Sequence, residues 1–263
     1  MLIHPTAIVD PHADVHPTVL LGPHVVIEGP VRIGAGCRLG PCAVVLGNTE
    51  IGENCVLHAH AVLGDLPQDK GFSGEPSFVK IGAGCVFREG VTVHRGTSPG
   101  SSTVIGDRCM FMTNSHVGHN CVVADDVTLV SGVLLGGHVT IGRKAVISGQ
   151  AAVHQFVRIG EMVVLAGMSV ATQDVPPFSM TDRFGAVVGI NFVGMRRAGM
   201  GIDERNEIKH AQQIIYRSGL GHQQVLATLA EELKTDAGRR LLEFLQPASR
   251  RGIAKSSERR RAA

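Results

Sequence analysis

The chain carries a hydrophobic repeat with a period of six residues. Counting in sixes from Ile3 to Leu165 gives 28 positions, and 25 of them hold Val, Ile, Leu or Phe. Because 44% of the chain is hydrophobic, random placement would fill only about 12 of the 28. A period of six fits neither an α-helix nor the two-residue alternation of one strand. It is typical of a parallel β-helix built from hexapeptide repeats.

The repeat predicts a triangular prism. Each hexad supplies one short strand and a turn, and three hexads complete a coil of 18 residues, with coils stacked about 4.8 Å apart. Gly follows the apolar residue in many hexads, and we expect these glycines to take the left-handed backbone angles of tight corners. The pattern fails at positions 69, 75 and 99, which predicts projecting loops at 69–80 and 99–104.

The end of the repeat predicts three regions. We expect the parallel β-helix over residues 1–175, a connecting segment over 176–202, and an α-helical domain with a basic tail over 203–263. Within the last region, Asp203 is the expected cap of a helix ending at Arg217. Two further helices are expected at about 221–234 and about 236–246.

Charge and composition limit the partners and the location. The net charge of +2 argues against nucleic acid as the main partner. Residues 247–263 carry six basic groups against one acidic group, which predicts a solvated, disordered end. The sequence shows no signal peptide and no apolar run long enough to span a bilayer, so we expect a cytoplasmic protein without stable membrane insertion. Five of the six cysteines share one hexad position, which predicts free, packed thiols.

Counting by coils brings distant histidines together. After removal of the six-residue loop, His94 precedes His119 by 19 residues, which is one coil plus one. His138 follows His119 by 19 residues, which is again one coil plus one. His154 follows His119 by 35 residues, which is two coils less one. These four histidines and the nearby His116 should therefore lie along one edge of the prism. Such a cluster suits general acid–base chemistry near neutral pH or a zinc site, and both remain open at this point.

The segment Asn114–Cys121, which reads NSHVGHNC, resembles the H-x-x-H-[DN]-C stretch of the bacterial UDP-N-acetylglucosamine acyltransferases that begin lipid A synthesis. The resemblance covers nearly the whole chain. The further matching segments are Gln68–Asp69, Gly74–Pro76, Val93–Thr97, Gly136–His138, Ala152–Phe156, Gln173–Pro177 and Tyr216–Gly219.

The resemblance implies a left-handed parallel β-helix that works as a homotrimer with active sites between the prisms. It also implies transfer of a 3-hydroxyacyl chain from acyl carrier protein to the 3-position of UDP-N-acetylglucosamine, without a cofactor or metal. His119 matches the general base, and the backbone N–H of Gly137 matches the oxyanion donor. Asn120 follows the base where Asp is frequent in the family, and an amide accepts a hydrogen bond without adding charge.

The resemblance also implies the residues of the substrate site. Gly167 matches the position that limits acyl-chain length, so a long chain is expected. The residues implied to hold the sugar, the nucleotide or the carrier are Asp69, His94, His116, His138, His154, Gln155, Asn191, Arg196 and Arg197. The basic tail is expected to raise the encounter rate with the acidic carrier protein.

Two alternatives stay open on the sequence alone. The same fold can transfer an acyl chain to the amine of a UDP-amino or UDP-diamino sugar, giving an amide instead of an ester. A trimeric zinc enzyme like the γ-type carbonic anhydrases, with His94, His116 and His119 as candidate ligands, belongs to a different class.

Overall fold

The hexads fold into the predicted triangular prism. A computed structural model describes residues 2–257, and its short parallel strands stack into three sheets, one on each face. The fold is a left-handed parallel β-helix followed by a small α-helical part, as expected from the sequence.

Each face is one sheet whose neighbouring strands come from successive coils. The first face consists of Leu2–Ile3, Leu20–Leu21, Arg38–Leu39, Val56–Leu57, Val86–Phe87, Met110–Phe111, Thr128–Leu129, Val146–Ile147, Val164–Leu165, Ser179–Thr181 and Val187–Ile190. The second consists of Ile8–Val9, Val26–Glu28, Val44–Leu46, Val62–Asp65, Thr92–His94, His116–Val117, Leu134–Leu135, Ala152–Val153 and Val170–Ala171. The third consists of Asp14–Val15, Arg32–Ile33, Asn48–Ile51, Phe78–Ile81, Ser102–Ile105, Val122–Val123, Thr140–Ile141 and Arg158–Ile159.

The apolar hexad residues fill the inside of the prism. Leu63, Phe111 and Leu135 are completely buried, as are most of their equivalents. The five in-phase cysteines are free and buried, which confirms the packing prediction. Burial raises the pKa of the Cys121 thiol to about 12, so this thiol stays protonated and behaves as a small apolar group.

The glycines after the apolar residues serve a different purpose from the one predicted. Apart from Gly64, with a φ of +88°, they do not have a positive φ; instead, a Cβ on them would crowd the neighbouring coil. At Gly52, for example, a Cβ would lie 2.7 Å from the carbonyl carbon of Gly82. The left-handed angles fall two residues later, on residues such as Asn54 and Asn120, because Asn tolerates that region better than most side chains.

The two insertions are shorter loops than predicted. Residues 78–80 and 102–104, expected in loops, belong to the strands Phe78–Ile81 and Ser102–Ile105. Both strands are four residues long, and Phe78–Ile81 pairs over its whole length with Asn48–Ile51. The hexad pattern marks only the inward residue near the end of each strand, so it missed this extension.

The segment 176–202 contains an antiparallel hairpin and the short helix α1 (Phe192–Arg197). Helices α2 (Ile202–Arg217), α3 (His222–Glu232) and α4 (Asp236–Leu245) follow. The predicted cap of α2 was wrong: Gly201 is the N-cap, and Asp203 lies in the first turn. Within residues 2–257, no helix is long and apolar enough to cross a membrane.

Glu161 ties the helices to the prism. Its carboxylate is 8% exposed and accepts hydrogen bonds from Arg143 Nε at 2.7 Å and from Arg240 Nε of α4 at 2.5 Å. A buried carboxylate is stable only when such partners replace its hydration. The contact therefore joins the last coils to α4.

The described part of the C-terminal tail is packed against the prism. Ala254 N–H donates to Asp174 O at 2.8 Å, and Val187 N–H donates to Lys255 O at 2.9 Å. Ala254 is 3% exposed. The predicted solvated end is thus wrong for residues up to 257, because backbone pairing holds them, while the remaining basic residues of the tail, 259–261, lie outside the described part.

We expect Gly52→Ala to destabilise the prism, because the new Cβ meets backbone atoms of the next coil at 2.7–2.8 Å. Such overpacking costs about 1–3 kcal/mol. Gly189→Ala is the matched control, since a Cβ there meets nothing within 4 Å. Thermal unfolding should show a clear decrease in Tm for the first variant and little change for the second; equal Tm values would contradict the close-approach explanation.

Candidate active site

The predicted histidine cluster exists. An open cleft of about 620 Å³ on one edge of the prism is lined by His94, His116, His119 and His154. The rings form two edge-to-face pairs: His94 with His116 at 5.1 Å and His119 with His138 at 5.2 Å between centroids. The prediction that coil counting would bring these five histidines to one edge is confirmed.

Glycine backbone makes room for the central histidine. The His119 ring lies against Gly137 of the next coil, where a Cβ would be 2.4 Å from Nε2. Among the hydrogen bonds of residues 2–257, none is donated by the N–H of Gly137. A backbone donor without a partner therefore stands beside the His119 ring.

The two nitrogens of His119 have distinct surroundings. Nδ1 lies 2.9 Å from Oδ1 of Asn120, and the same oxygen accepts from Thr97 Oγ1 at 2.9 Å and Thr97 N–H at 3.2 Å. The backbone N–H of Thr97 is always a donor, so the group facing His119 is the amide oxygen and Nδ1 carries the proton. Nε2 then holds the free lone pair.

The loop that carries Asp69 reaches this nitrogen. One carboxylate oxygen of Asp69 lies 3.6 Å from His119 Nε2. The start of the loop is anchored by His94, whose Nδ1 donates to Leu66 O at 2.6 Å. His94 is 7% exposed, so its role within one chain is to hold the loop.

The neighbouring histidines are kept uncharged. Burial, together with the nearby His94 and His119, lowers the pKa of His116 to about 4. The pKa of His138 is also lowered, first by burial and then by His119 and Arg250, whereas Asp69 opposes the shift. Two neutral imidazoles beside His119 do not repel a proton on its ring, whereas two cationic imidazoles would repel it.

The remaining predicted site residues lie in different surroundings. Gln155 and His154 are exposed at the cleft. Gly167 lies in a later coil, where an added Cβ would be 3.3 Å from the carbonyl oxygen of Gly149. Asn191 is the N-cap of α1: its amide donates to Met162 O and accepts from Gly194 N–H, both at 2.8 Å. The exposed residues Arg196 and Arg197 end that helix and do not line the cleft.

Several residues that shape the site were given no role on the basis of the sequence. Thr97 fixes the amide of Asn120, and the hydroxyl of the buried Thr103 accepts from the Asn120 N–H at 2.8 Å. Phe156 stacks on His138 at 4.6 Å. Asn120, His138 and Phe156 are 18 residues apart, so the coil count used for the histidines would also have found Phe156.

Within residues 2–257, no group of three His, Cys, Asp or Glu side chains is placed to hold a metal ion. The candidate ligands of the zinc alternative do not converge in one chain: His94 and His116 face each other, while His119 pairs with His138.

Residues 174–254 match the family model described as UDP-N-acetylglucosamine O-acyltransferase, domain 2. Residues 12–47, 30–65 and 102–137 match the model of the bacterial transferase hexapeptide repeat.

The chain is also similar to whole proteins. It is 42% identical over 235 residues to an acyl-[acyl-carrier-protein]–UDP-N-acetylglucosamine O-acyltransferase of Anaeromyxobacter sp. (strain Fw109-5), covering 89% of this chain and 91% of that protein. The equivalent protein of Stenotrophomonas maltophilia (strain R551-3) is 39% identical over 252 residues, or 94% and 96% of the two chains. The crystal structure of the Francisella novicida UDP-N-acetylglucosamine acyltransferase matches with a TM-score of 0.93 and 32% identity, covering 97% and 95%.

The lowered pKa of His116 predicts a pH-dependent stability. The folded chain binds a proton at His116 near pH 4, whereas the unfolded chain binds it near the ordinary value of 6.5. The unfolded state therefore binds more protons between these values, and stability decreases as the pH falls from 6.5 to 4. In His116→Gln the decrease in Tm over this window should be smaller than in the wild type. The exposed His16→Gln serves as control, and equal slopes for wild type and His116→Gln would contradict the assignment.

Proposed function

The chain belongs to the UDP-N-acetylglucosamine O-acyltransferase family, and we propose that His119 is the general base of its reaction. Nε2 of His119 takes the proton from the sugar 3-hydroxyl as that oxygen attacks the acyl thioester carried by acyl carrier protein. The carbon–sulfur bond then breaks, the ester remains on the sugar, and the imidazolium returns the proton to the departing thiolate. The thioester carries the activation, so the reaction needs no cofactor.

The observation that carries this proposal is the orientation of His119. Asn120 holds Nδ1–H and leaves the lone pair of Nε2 directed to the cleft. The side chain is 12% exposed, so the base is largely shielded from water yet reachable by a substrate hydroxyl. A neutral imidazole with one nitrogen fixed and the other free is the arrangement that general-base catalysis requires.

The N–H of Gly137 is the proposed donor to the oxyanion. Attack on the thioester places negative charge on the carbonyl oxygen, and a donor already oriented toward it stabilises the transition state by about 3 kcal/mol. The position beside the His119 ring and the free N–H support this role.

The sugar and nucleotide are proposed to lie along the histidine edge. Asp69, close to Nε2, would accept a hydrogen bond from the sugar, and His116, His138 and Gln155 would contact the nucleotide sugar with His154 adjoining. His94 contributes by holding the loop of Asp69.

A homotrimer would complete the site. The cleft of a single prism is open, and a second prism beside it would supply the opposite wall. We propose that Asn191, Arg196 and Arg197, which lie outside the cleft of their own chain, sit near the nucleotide or the carrier protein in that assembly. The proposed location is the cytoplasm, and the proposed pathway step is the first of lipid A biosynthesis.

Family membership decides against the carbonic-anhydrase alternative. An amine acceptor instead of a hydroxyl uses the same base and the same oxyanion donor, so the geometry of His119 does not separate the two acceptors. Mass spectrometry of products made from UDP-N-acetylglucosamine and its 3-amino analogue distinguishes the ester from the amide.

Replacing the proposed base should slow acyl transfer without unfolding the protein. We expect His119→Ala to lower kcat about 10²- to 10⁴-fold, the usual contribution of a general base, with little change in Tm. The matched control is His16→Ala, an exposed histidine of the first coils that should retain full activity. A His119→Ala protein with wild-type kcat would refute the proposed mechanism.

The acyl groove should depend on Gly167. With glycine the groove stays open, so the wild type should prefer long 3-hydroxyacyl chains over short ones. Gly167→Ala and Gly167→Met should shorten the preferred chain progressively, because the added side chain occupies space beyond the Cβ position. Competition among carriers loaded with chains of different length, followed by product mass spectrometry, measures this preference; a wild type that makes only short-chain products would contradict it.

A further inference from the structure

The C-terminal segment 249–257 runs along the last coil at a fixed position. Its backbone pairs with residues on both sides of the prism end: Asp174 N–H donates to Gly252 O, and Val187 N–H donates to Lys255 O. Arg251 Nε also donates to Gln155 O at 3.0 Å. These bonds place Arg250 beside the histidine edge.

Arg250 begins a row of four groups in contact, which continues through Phe156 and His138 to His119. Its guanidinium carbon lies 4.0 Å from the centre of the Phe156 ring. Phe156 stacks on His138 at 4.6 Å with an interplanar angle of 16°, and His138 meets His119 edge-on at 5.2 Å. A cation over an aromatic face and offset ring stacking are both favourable contacts. The row thus connects the C-terminal segment with the base.

The backbone of Phe156 adopts a left-handed corner conformation that many non-glycine residues of this prism share, including Phe178 with a φ of +63°. Phe156 has a φ of +67°, at the same corner position where the two preceding coils carry His138 and Asn120. Asn and His occur often in this left-handed region, whereas a bulky aromatic side chain is unusual there. The left-handed angle is therefore a regular corner of the fold, and the case for Phe156 rests on the contacts of its ring with His138 and Arg250.

The charge of Arg250 acts on the same histidine. Burial is the largest cause that lowers the pKa of His138; of the charged groups that face it, His119 and Arg250 lower the pKa further and Asp69 raises it. A protonated His138 would oppose the uptake of a proton by His119. The Phe156 ring therefore packs on His138, and the Arg250 guanidinium adds to the burial that keeps His138 neutral.

We propose that Arg250 is a positioning residue of acyl transfer, which fixes the ring of His138 against His119 through Phe156. This inference rests on the proposed role of His119 as the base. It assigns the C-terminal segment a place in the active site, in addition to any effect of its charge on the carrier protein.

Two charge-removing variants of the full chain test the proposal. Arg250→Met should shift the acid limb of the kcat/KM profile upward by about half a pH unit, because His138 gains a proton more easily. Arg250→Lys, which keeps the charge, should leave the limb near its wild-type position. Lys255→Met removes one charge from the same segment away from the row. The proposal is wrong if Lys255→Met raises KM for the carrier as much as Arg250→Met does and neither variant moves the acid limb of the kcat/KM profile. The segment would then act by net charge alone.

A second measurement does not depend on turnover. The imidazole of His138, assigned through His138→Gln, can be titrated by NMR in the wild type and in Arg250→Met. We expect a higher pKa for His138 in the variant, and Phe156→Leu should remove the further effect of Arg250→Met in the double variant. An unchanged His138 titration would overturn the inference even where acyl transfer is normal. A wild type that transfers no acyl chain would refute the proposed function while leaving this coupling measurable.

Discussion

The parallel hydrogen bonds between successive coils determine the rest of this structure. His116 N–H donates to Val133 O at 2.8 Å, and His138 N–H donates to His119 O at 2.9 Å, so the register of each coil on the next is fixed by the backbone. A shift by one residue would turn every inward side chain outward. Residues about 18 apart in the chain therefore become neighbours, and a site can be built from side chains that are distant in sequence.

The same close approach of coils creates the floor of the site. At many corners, contact between successive coils leaves no room for a Cβ; beside the cleft, Gly118 lies against the backbone of the next coil and Gly137 against the His119 ring. The ring of His119 occupies the space that a side chain at 137 would have taken, and the Gly137 N–H remains without a partner among the described residues. A constraint of the fold thus supplies both room for the ring of the proposed base and the backbone donor proposed for the oxyanion.

The hexad pattern was sufficient to predict the prism and the meeting of the histidines, since both follow from periodicity. It was insufficient at the insertions, because Asn48–Ile51 provides a longer strand to which residues 78–80 also pair, and the pattern does not report strand length. The charge of the C-terminal tail led to the prediction of a solvated end. Instead, the backbone of Ile253 and Ala254 pairs with Asp174 and holds this part of the tail on the prism. Thr97 appeared only within the matching segment Val93–Thr97 and was given no role, because the hexad period does not report its side-chain hydrogen bond to Asn120.

The charges around His119 explain how Asn120 can take the place of a carboxylate beside the proposed base. Asn120 fixes the tautomer but adds no charge, and His116 and His138 are kept neutral by their surroundings. Among the ion pairs of residues 2–257, Asp69 supplies the negative charge that faces His119, from a loop on the substrate side. Because the same carboxylate is proposed to bind the sugar, substrate binding and the stabilisation of imidazolium depend on one group. The proposed base thus shares its negatively charged neighbour, Asp69, with the proposed sugar site.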